Sequence, residues 1–160
     1  IRTGLDYSKW LENFKRGVEI STHRRQIRID FTLTLPGLFE VKKIQQLADS
    51  LGVDILAKVV FSFSPDIVMS PLALPRELLH PWIDDTLQEL GTDGPLKDIL
   101  LQLKTRPTFQ EQFPDSWQWG LKKGKARTLE IEKIRNDQYT MRDILSNRSD
   151  ILKWWDSIES

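Results

Sequence analysis

The chain has 160 residues, of which 23 are Lys or Arg and 23 are Asp or Glu, so its formal net charge at pH 7 is zero. It contains no cysteine, which excludes disulfides and thiolate ligands for zinc or an iron–sulfur cluster from these residues. A balanced charge disfavours a nucleic-acid partner, and no apolar run approaches the roughly 20 residues that cross a bilayer. We therefore expect a cytoplasmic protein that has neither a nucleic acid nor a membrane as its partner.

Residues 1–75 are predicted to alternate helix, strand, helix and strand. Asp6 is a suitable N-cap for a helix over residues 6–20. That helix has apolar side chains at three- and four-residue spacing, namely Tyr7, Trp10, Leu11, Phe14 and Val18. Residues 26–35 alternate apolar and polar side chains, which predicts a β-strand, and Pro36-Gly37 ends it.

A second helix is predicted over residues 39–51, with Gly52 as the residue after its end. Residues 54–64 are apolar on both faces, as in a buried parallel strand, and Lys58 interrupts them. Strand, helix and strand at this spacing predict a βαβ unit with a parallel, right-handed crossover. Because two strands make an unstable open sheet, we expect neighbouring strands from outside these residues.

Residues 76–160 are predicted to be helices joined by polar loops. Pro75 fits the first position of a helix that ends at Gly91. Further helices are predicted over residues 95–103, 117–136, 141–145 and 149–158. Helix 117–136 is expected to be weaker at its glycine-containing middle, residues 122–125.

The carboxyl ends of the two predicted strands are the candidate functional surface, since parallel α/β folds bind ligands there. They are residues 34–37 and 61–66. The link over residues 61–75 holds three Pro and three Ser yet stays apolar. It is either a functional loop or a packed covering loop in which Met69 and Leu72 fill the core.

Lys58 places a charge inside an apolar strand, which is costly unless the charge is paired. Asp30 lies on the polar face of the preceding strand at a similar height. We predict a contact shorter than about 4 Å between the Asp30 carboxylate and the Lys58 ammonium. The pair is either a structural ion pair or part of a polar barrel interior close to a ligand.

No catalytic or metal-binding motif is present, and His23 and His80 are too far apart in sequence for a close metal pair. The basic run over residues 122–127 is expected to be a solvated helix face rather than a phosphate site. Trp154 and Trp155 point about 100° apart on a helix, so at most one is expected at the centre of a core. The other is expected to cover a neighbouring domain or partner.

Several segments are similar to radical S-adenosylmethionine (radical SAM) enzymes, most closely to the subgroup with a twitch-type, SPASM-like domain. The resemblance covers nearly the whole chain and is carried by residues 1–4 (IRTG), the helix with Trp10, Glu12, Asn13 and Phe14, residues 30–37 (DFTLTLPG), 61–66 (FSFSPD), 70–75 (SPLALP) and 151–158 (ILKWWDSI). In that family these segments correspond to the end of the fourth strand, the fifth and sixth strands with their loops, and the final helix.

The resemblance implies an α/β fold that is the last third of a partial (β/α)6 barrel. Residues 1–75 would supply its two parallel strands with crossover helices, and residues 76–160 a mostly helical C-terminal extension. In this family a four-iron four-sulfur cluster on a CxxxCxxC loop cleaves S-adenosylmethionine to a radical that abstracts hydrogen from the substrate. That loop is absent here, so the upstream barrel half of the same chain would hold the cluster. The missing initiator Met agrees with a fragment, which we expect to be inactive alone.

The resemblance also implies the site. Cofactor contacts are expected from Arg2, Thr34, Pro36, Gly37, Ser62 and Ser64. Lining of the substrate pocket is expected from Asp30, Lys58 and Asp66. No catalytic residue or metal ligand is expected, and the substrate, either a peptide or a small molecule, is not identified. The alternative is a non-catalytic interaction module that uses Trp154 and Trp155 as its contact surface.

Overall fold

The computed structural model describes residues 6–23, 26–60, 68–136 and 139–159. These residues form a mostly helical α/β fold with two strands. In chain order the elements are α1 (Tyr7–Ile20), β1 (Arg28–Leu33), α2 (Val41–Leu51), β2 (Asp54–Val59), α3 (Arg76–Leu90), α4 (Pro95–Thr105), α5 (Phe109–Gln112), α6 (Trp117–Arg135), α7 (Met141–Leu145) and α8 (Ser149–Ser157). Two short 3-10 segments, Pro36–Glu40 and Pro71–Ala73, precede α2 and α3.

The predicted strand–helix–strand unit is confirmed. β1 and β2 pair in parallel, with Ile29 opposite Ile55, and α2 connects them. Gly52 ends α2 at φ 63°, a left-handed conformation that glycine adopts without the steric cost of a Cβ. At the other end of this region, the Asp6 carboxylate accepts the Lys9 N–H at 3.1 Å, which confirms Asp6 as the N-cap of α1. The local signals in residues 6–59 therefore specify these elements.

The prediction that β2 is buried on both faces is wrong. Leu56 and Lys58 are exposed, whereas Val59 is buried. β1 alternates in the same way, with Ile29 buried and Asp30 exposed. The strands contact α2 and α4, and within the described residues only one face of the sheet is covered. β2 is apolar by composition, but no layer formed by the described residues packs on its second face.

One cluster of buried apolar side chains joins the sheet to the C-terminal helices. It runs from Leu33 and Val59 on the strands to Ile158 after α8. Leu72 is 2% exposed, which confirms it as a core residue. Met69 is 37% exposed, so it does not fill the core as the covering-loop alternative expects; its backbone carbonyl accepts the Leu35 N–H at 2.7 Å. The division into residues 1–75 and 76–160 stays a prediction.

Two helix details differ from the sequence prediction. Pro75 is the N-cap of α3 rather than its first residue. α6 is continuous through residues 122–125, and Gly124 lies on its buried face. Trp117, at the start of α6, donates its indole N–H to the Ala73 carbonyl at 3.2 Å and so ties α6 to the segment before α3.

Lys125 joins α6 to the end of α8. Its ammonium donates to the carbonyls of Trp155 and Ile158 at 3.0 and 2.7 Å, and it lies 5.6 Å from the centroid of the Trp155 ring. The last carbonyls of a helix lack partners within the helix and form its negative end, so a cation there is favourable. Lys125 is buried, and the prediction of a solvated basic run is therefore wrong at this residue.

Both tryptophans of α8 are buried, Trp154 being 8% and Trp155 1% exposed. The prediction that one of them faces a partner is wrong. Adjacent residues on a helix can both be buried only when neighbours cover more than one side of it. Here α7 packs on α8, and Lys125 of α6 also contacts it.

We expect Lys125→Met to lower the free energy of unfolding by about 1.5–3 kcal/mol, because it removes the charged donor of two buried carbonyls. Lys133→Met, at an exposed position of the same helix, serves as the control and should change it by less than about 0.5 kcal/mol. Urea denaturation followed by tryptophan fluorescence measures both. Equal losses for the two variants would contradict this account of Lys125.

Candidate functional site

The carboxyl ends of β1 and β2 lie side by side because the strands are parallel. The Val60 N–H donates to the Leu33 carbonyl at 3.0 Å and extends this pairing beyond β2. The chain leaves β1 through Thr34 into the 3-10 segment that starts at Pro36. Residues 34–37 are therefore the described part of the predicted functional end of the sheet, and residues 61–66 lie outside the described residues.

The turn over residues 34–37 is held by its own hydrogen bonds. The Gly37 N–H donates to Thr34 Oγ1 at 3.0 Å. A Cβ added to Gly37 would lie 2.9 Å from that oxygen, so the close approach requires glycine. Leu35 is buried, and Pro36 is half-buried at the start of the 3-10 segment. These contacts give the strand end a fixed shape.

Asp30 and Lys58 form the predicted ion pair. Lys58 Nζ lies 3.0 Å from Asp30 Oδ1 and 3.2 Å from Oδ2. The contact is diagonal across the strands, since Lys58 is directly opposite Thr32. The Lys58 and Asp30 side chains are 54% and 51% exposed, respectively. The contact is thus confirmed, while its role near a ligand stays a prediction.

The ion pair belongs to a larger surface, which we call the open sheet face. It consists of the alternate exposed residues of both strands, namely Arg28, Asp30, Thr32, Asp54, Leu56 and Lys58. Two cations and two carboxylates balance its charge, and Leu56 is its apolar member. Such a surface suits a polar, overall neutral group better than a strongly charged ligand.

Comparison with protein-family models, with curated proteins and with solved structures found no match for this chain.

The described residues do not fit an iron–sulfur cluster. The sequence has no cysteine, and the described part of the chain has no group of three or more His, Asp or Glu side chains that could hold a metal. No helix in that part is long and apolar enough to cross a membrane. Arg2, Ser62, Ser64 and Asp66 lie outside the described residues. Of the predicted site, the structure places Thr34, Pro36 and Gly37 at the strand end and Asp30 and Lys58 on the open sheet face.

An ion network between α3 and α5 was missed by the sequence analysis. Arg76 donates two hydrogen bonds to the Glu111 carboxylate, at 2.6 and 2.7 Å, and the Thr108 N–H donates a third at 2.7 Å. The Arg76 hydrogen bonds, followed by that of Thr108, lower the pKa of Glu111 to about 2. The Thr108 and Glu111 spacing is a capping-box signal that sequence reading can find, but it does not identify Arg76 as partner.

His80 takes part in the same network as an acceptor. Its Nε2 lies 3.1 Å from Arg76 Nη1, and a guanidinium can only donate. Burial and then the positive charge of Arg76 lower the pKa of His80. Both effects favour the neutral imidazole, in which Nε2 accepts this hydrogen bond and Nδ1 carries the proton.

A cleft of about 500 Å³ lies between α2, α3 and the residues before α8. Arg148 stacks 5.3 Å from the Trp82 ring and pairs with Asp85 at 2.9 Å, and Lys42 pairs with Glu89 at 3.6 Å. Trp82 is only 4% exposed. Because these charges pair with one another and the ring is buried, the cleft offers little free binding chemistry.

The Glu111 carboxylate should make stability depend on pH. Its folded pKa of about 2 is below its ordinary value of 4.5, so its contribution is complete above pH 4.5 and is lost as the pH falls toward 2. In Arg76→Met the pKa of Glu111 should rise toward 4.5, and acid unfolding should begin at higher pH. A carboxyl NMR titration measures the pKa of Glu111, and a circular dichroism titration measures the pH at which unfolding begins; Lys153→Met is the control. An unchanged pKa of Glu111 in Arg76→Met would contradict the role given to Arg76.

The Asp30–Lys58 pair should contribute little to stability because both side chains are half exposed. We expect Asp30→Asn to lower the free energy of unfolding by at most about 1 kcal/mol. A double-mutant cycle with Lys58→Met in urea denaturation measures the coupling. A coupling well above that value would show that the pair is a structural element of this chain.

Proposed function

We propose that this chain is the C-terminal part of a radical SAM enzyme of the twitch-type, SPASM-like subgroup. In this proposal β1 and β2 are the last two strands of its partial (β/α)6 barrel. The supporting observation is a parallel strand pair with helices on one face and an open, mostly polar second face. Parallel sheets normally have both faces covered, and in an α/β barrel the second face lines the interior.

Two surfaces agree with missing neighbours of the sheet. In the described residues β1 pairs only with β2, so its other edge has no strand partner. The apolar stripe of α1 is only partly covered by the described residues. Tyr7 is 60% exposed, Trp10 and Phe14 are half-buried, and these three rings stack in sequence at 5.7 and 5.3 Å. An upstream barrel half would cover both surfaces. Burial of these side chains would stabilise the assembled barrel.

The proposal gives this chain a binding and shielding role. The upstream half would hold the cluster, whose chemistry with S-adenosylmethionine supplies the radical. Thr34, Pro36 and Gly37 would border the cofactor at the strand ends. Asp30 and Lys58 would line the substrate pocket and present a carboxylate and an ammonium 3.0 Å apart. Because the two charges balance, a polar group could hydrogen-bond to either side chain without meeting a net charge.

The alternative, an interaction module that uses Trp154 and Trp155, loses its contact surface because both side chains are buried. No observation on α8 replaces it. The barrel proposal is therefore the one that the geometry supports best.

The reading frame upstream of Ile1 provides the first test. Sequencing and translating the gene should reveal strands of the same barrel and a CxxxCxxC loop. A start codon directly before Ile1 would overturn the proposal.

Activity of the full-length protein provides the second test. With dithionite as reductant, anaerobically prepared protein should convert S-adenosylmethionine to 5′-deoxyadenosine. Gly37→Ala places a Cβ 2.9 Å from Thr34 Oγ1 and should raise the KM for S-adenosylmethionine about tenfold through displacement of the turn. The iron content should not change.

Gly17→Ala is the matched control, since its Cβ would meet only the flexible end of Ile27, at 3.1 Å. It should leave the KM unchanged. An equal effect of the two variants on the KM would show that the strand end is not part of the cofactor site. Absence of 5′-deoxyadenosine from iron-loaded protein would contradict the enzyme proposal itself.

A further inference from the structure

The outer face of α6 combines exposed apolar and basic side chains. The inner face of the helix is buried and includes Trp117, Leu121 and Lys125. On the opposite side, Trp119 is 56% and Ile134 76% exposed. We define the α6 outer face as Trp119, Lys122, Lys123, Arg127, Leu129, Glu130, Lys133 and Ile134. Single exposed apolar residues need no explanation, but several on one helix face indicate an interaction site.

The charge of this face is locally positive in a chain whose net charge is zero. Four exposed cations stand against one exposed acid, Glu130. Lys122 is 3.5 Å from Glu159, and Lys123 lies 4.4 Å from the Trp119 ring centroid. Arg127 and Lys133 have no acidic partner among the described residues. The face therefore offers free cations beside apolar side chains.

We propose that the α6 outer face docks an acidic, amphipathic helical segment of a partner protein. Trp and Arg are enriched in protein interfaces and contribute most to their binding energy. Trp119 and Ile134 are 15 positions apart, about 22 Å along the helix axis, so the partner segment would span about four turns. Its apolar side chains would cover Trp119 and Ile134, and its carboxylates would pair with Lys123, Arg127 and Lys133.

Two other classes of partner fit this face less well. A nucleic acid would meet Glu130 in the middle of the face and would leave Leu129 and Ile134 without apolar contacts. An anionic membrane favours helices whose apolar side chains form a separate face. In α6 that face is the buried inner one, whereas the exposed apolar side chains alternate with charges. The docking proposal does not rest on the barrel proposal, because it uses only residues of α6.

Fluorescence anisotropy with synthetic probes tests the proposal. The probe is a labelled peptide of the length of α6, with Leu on one helix face and Glu on the other. The control probe has Lys at every Glu position. The protein should bind the acidic peptide at least about tenfold more tightly than the basic one. This comparison uses the wild-type chain and requires no variant to fold.

Variants then locate the binding surface. Trp119→Ala and the double variant Lys123→Glu/Arg127→Glu should each weaken binding of the acidic peptide about tenfold. Lys153→Glu changes an exposed lysine of α8 and should leave binding unchanged. Circular dichroism confirms the fold of each variant. Equal affinity for both peptides, or equal loss in the Lys153 control, would overturn the proposal.

Two further probes distinguish the other partner classes. Phosphatidylcholine vesicles that contain phosphatidylserine report on membrane binding, and oligouridylate reports on nucleic-acid binding. Both should bind more weakly than the acidic peptide. The opposite result is that either probe binds more tightly than the acidic peptide and loses this binding in the Lys123 and Arg127 double variant. That result would assign the α6 outer face to membrane or nucleic-acid binding and overturn the peptide proposal.

Discussion

The parallel pairing of β1 with β2 is the constraint on which the remaining structure depends. Side chains alternate along a strand, so this register places Leu33 and Val59 in the core and Asp30 and Lys58 on the opposite face. A slip of one residue would exchange the two faces of a strand. The same pairing brings the two strand ends together, and α2 must then connect them over the covered face.

The C-terminal helices complete the core that the sheet begins. Burial of apolar side chains along α3, α4 and α8 provides the main driving force, and a few polar contacts select the arrangement. Lys125 is the clearest example, because its buried ammonium donates to the carbonyls of Trp155 and Ile158 at the end of α8. A solvent-facing lysine could not fix the position of α8 in this way, since water would compete for the same carbonyls.

Two surfaces of the described residues remain uncovered, and they differ in chemistry. The open sheet face is polar and charge-balanced, as expected for a surface that lines an interior and contacts a small polar ligand. The α6 outer face is basic and carries large apolar side chains, as expected for a surface that meets a macromolecular partner. The two surfaces therefore differ in the same way as the two separate roles that we propose for them, one in a barrel interior and one in docking.

The sequence by itself determined every helix except α5, both strands, their parallel pairing and the Asp30–Lys58 contact. It could do so because periodicity, capping residues and an unpaired charge act locally or between adjacent strands. Only the tertiary structure decided which apolar residues are buried. Leu56 and Met69 are apolar yet exposed, whereas Lys125 is charged yet buried. Lys125 is buried by contacts with α8, 30 or more residues away in the chain. Arg76 and Glu111, whose ion pair the sequence did not predict, are likewise 35 residues apart. Local pattern therefore specifies an element, and burial depends on what packs against it.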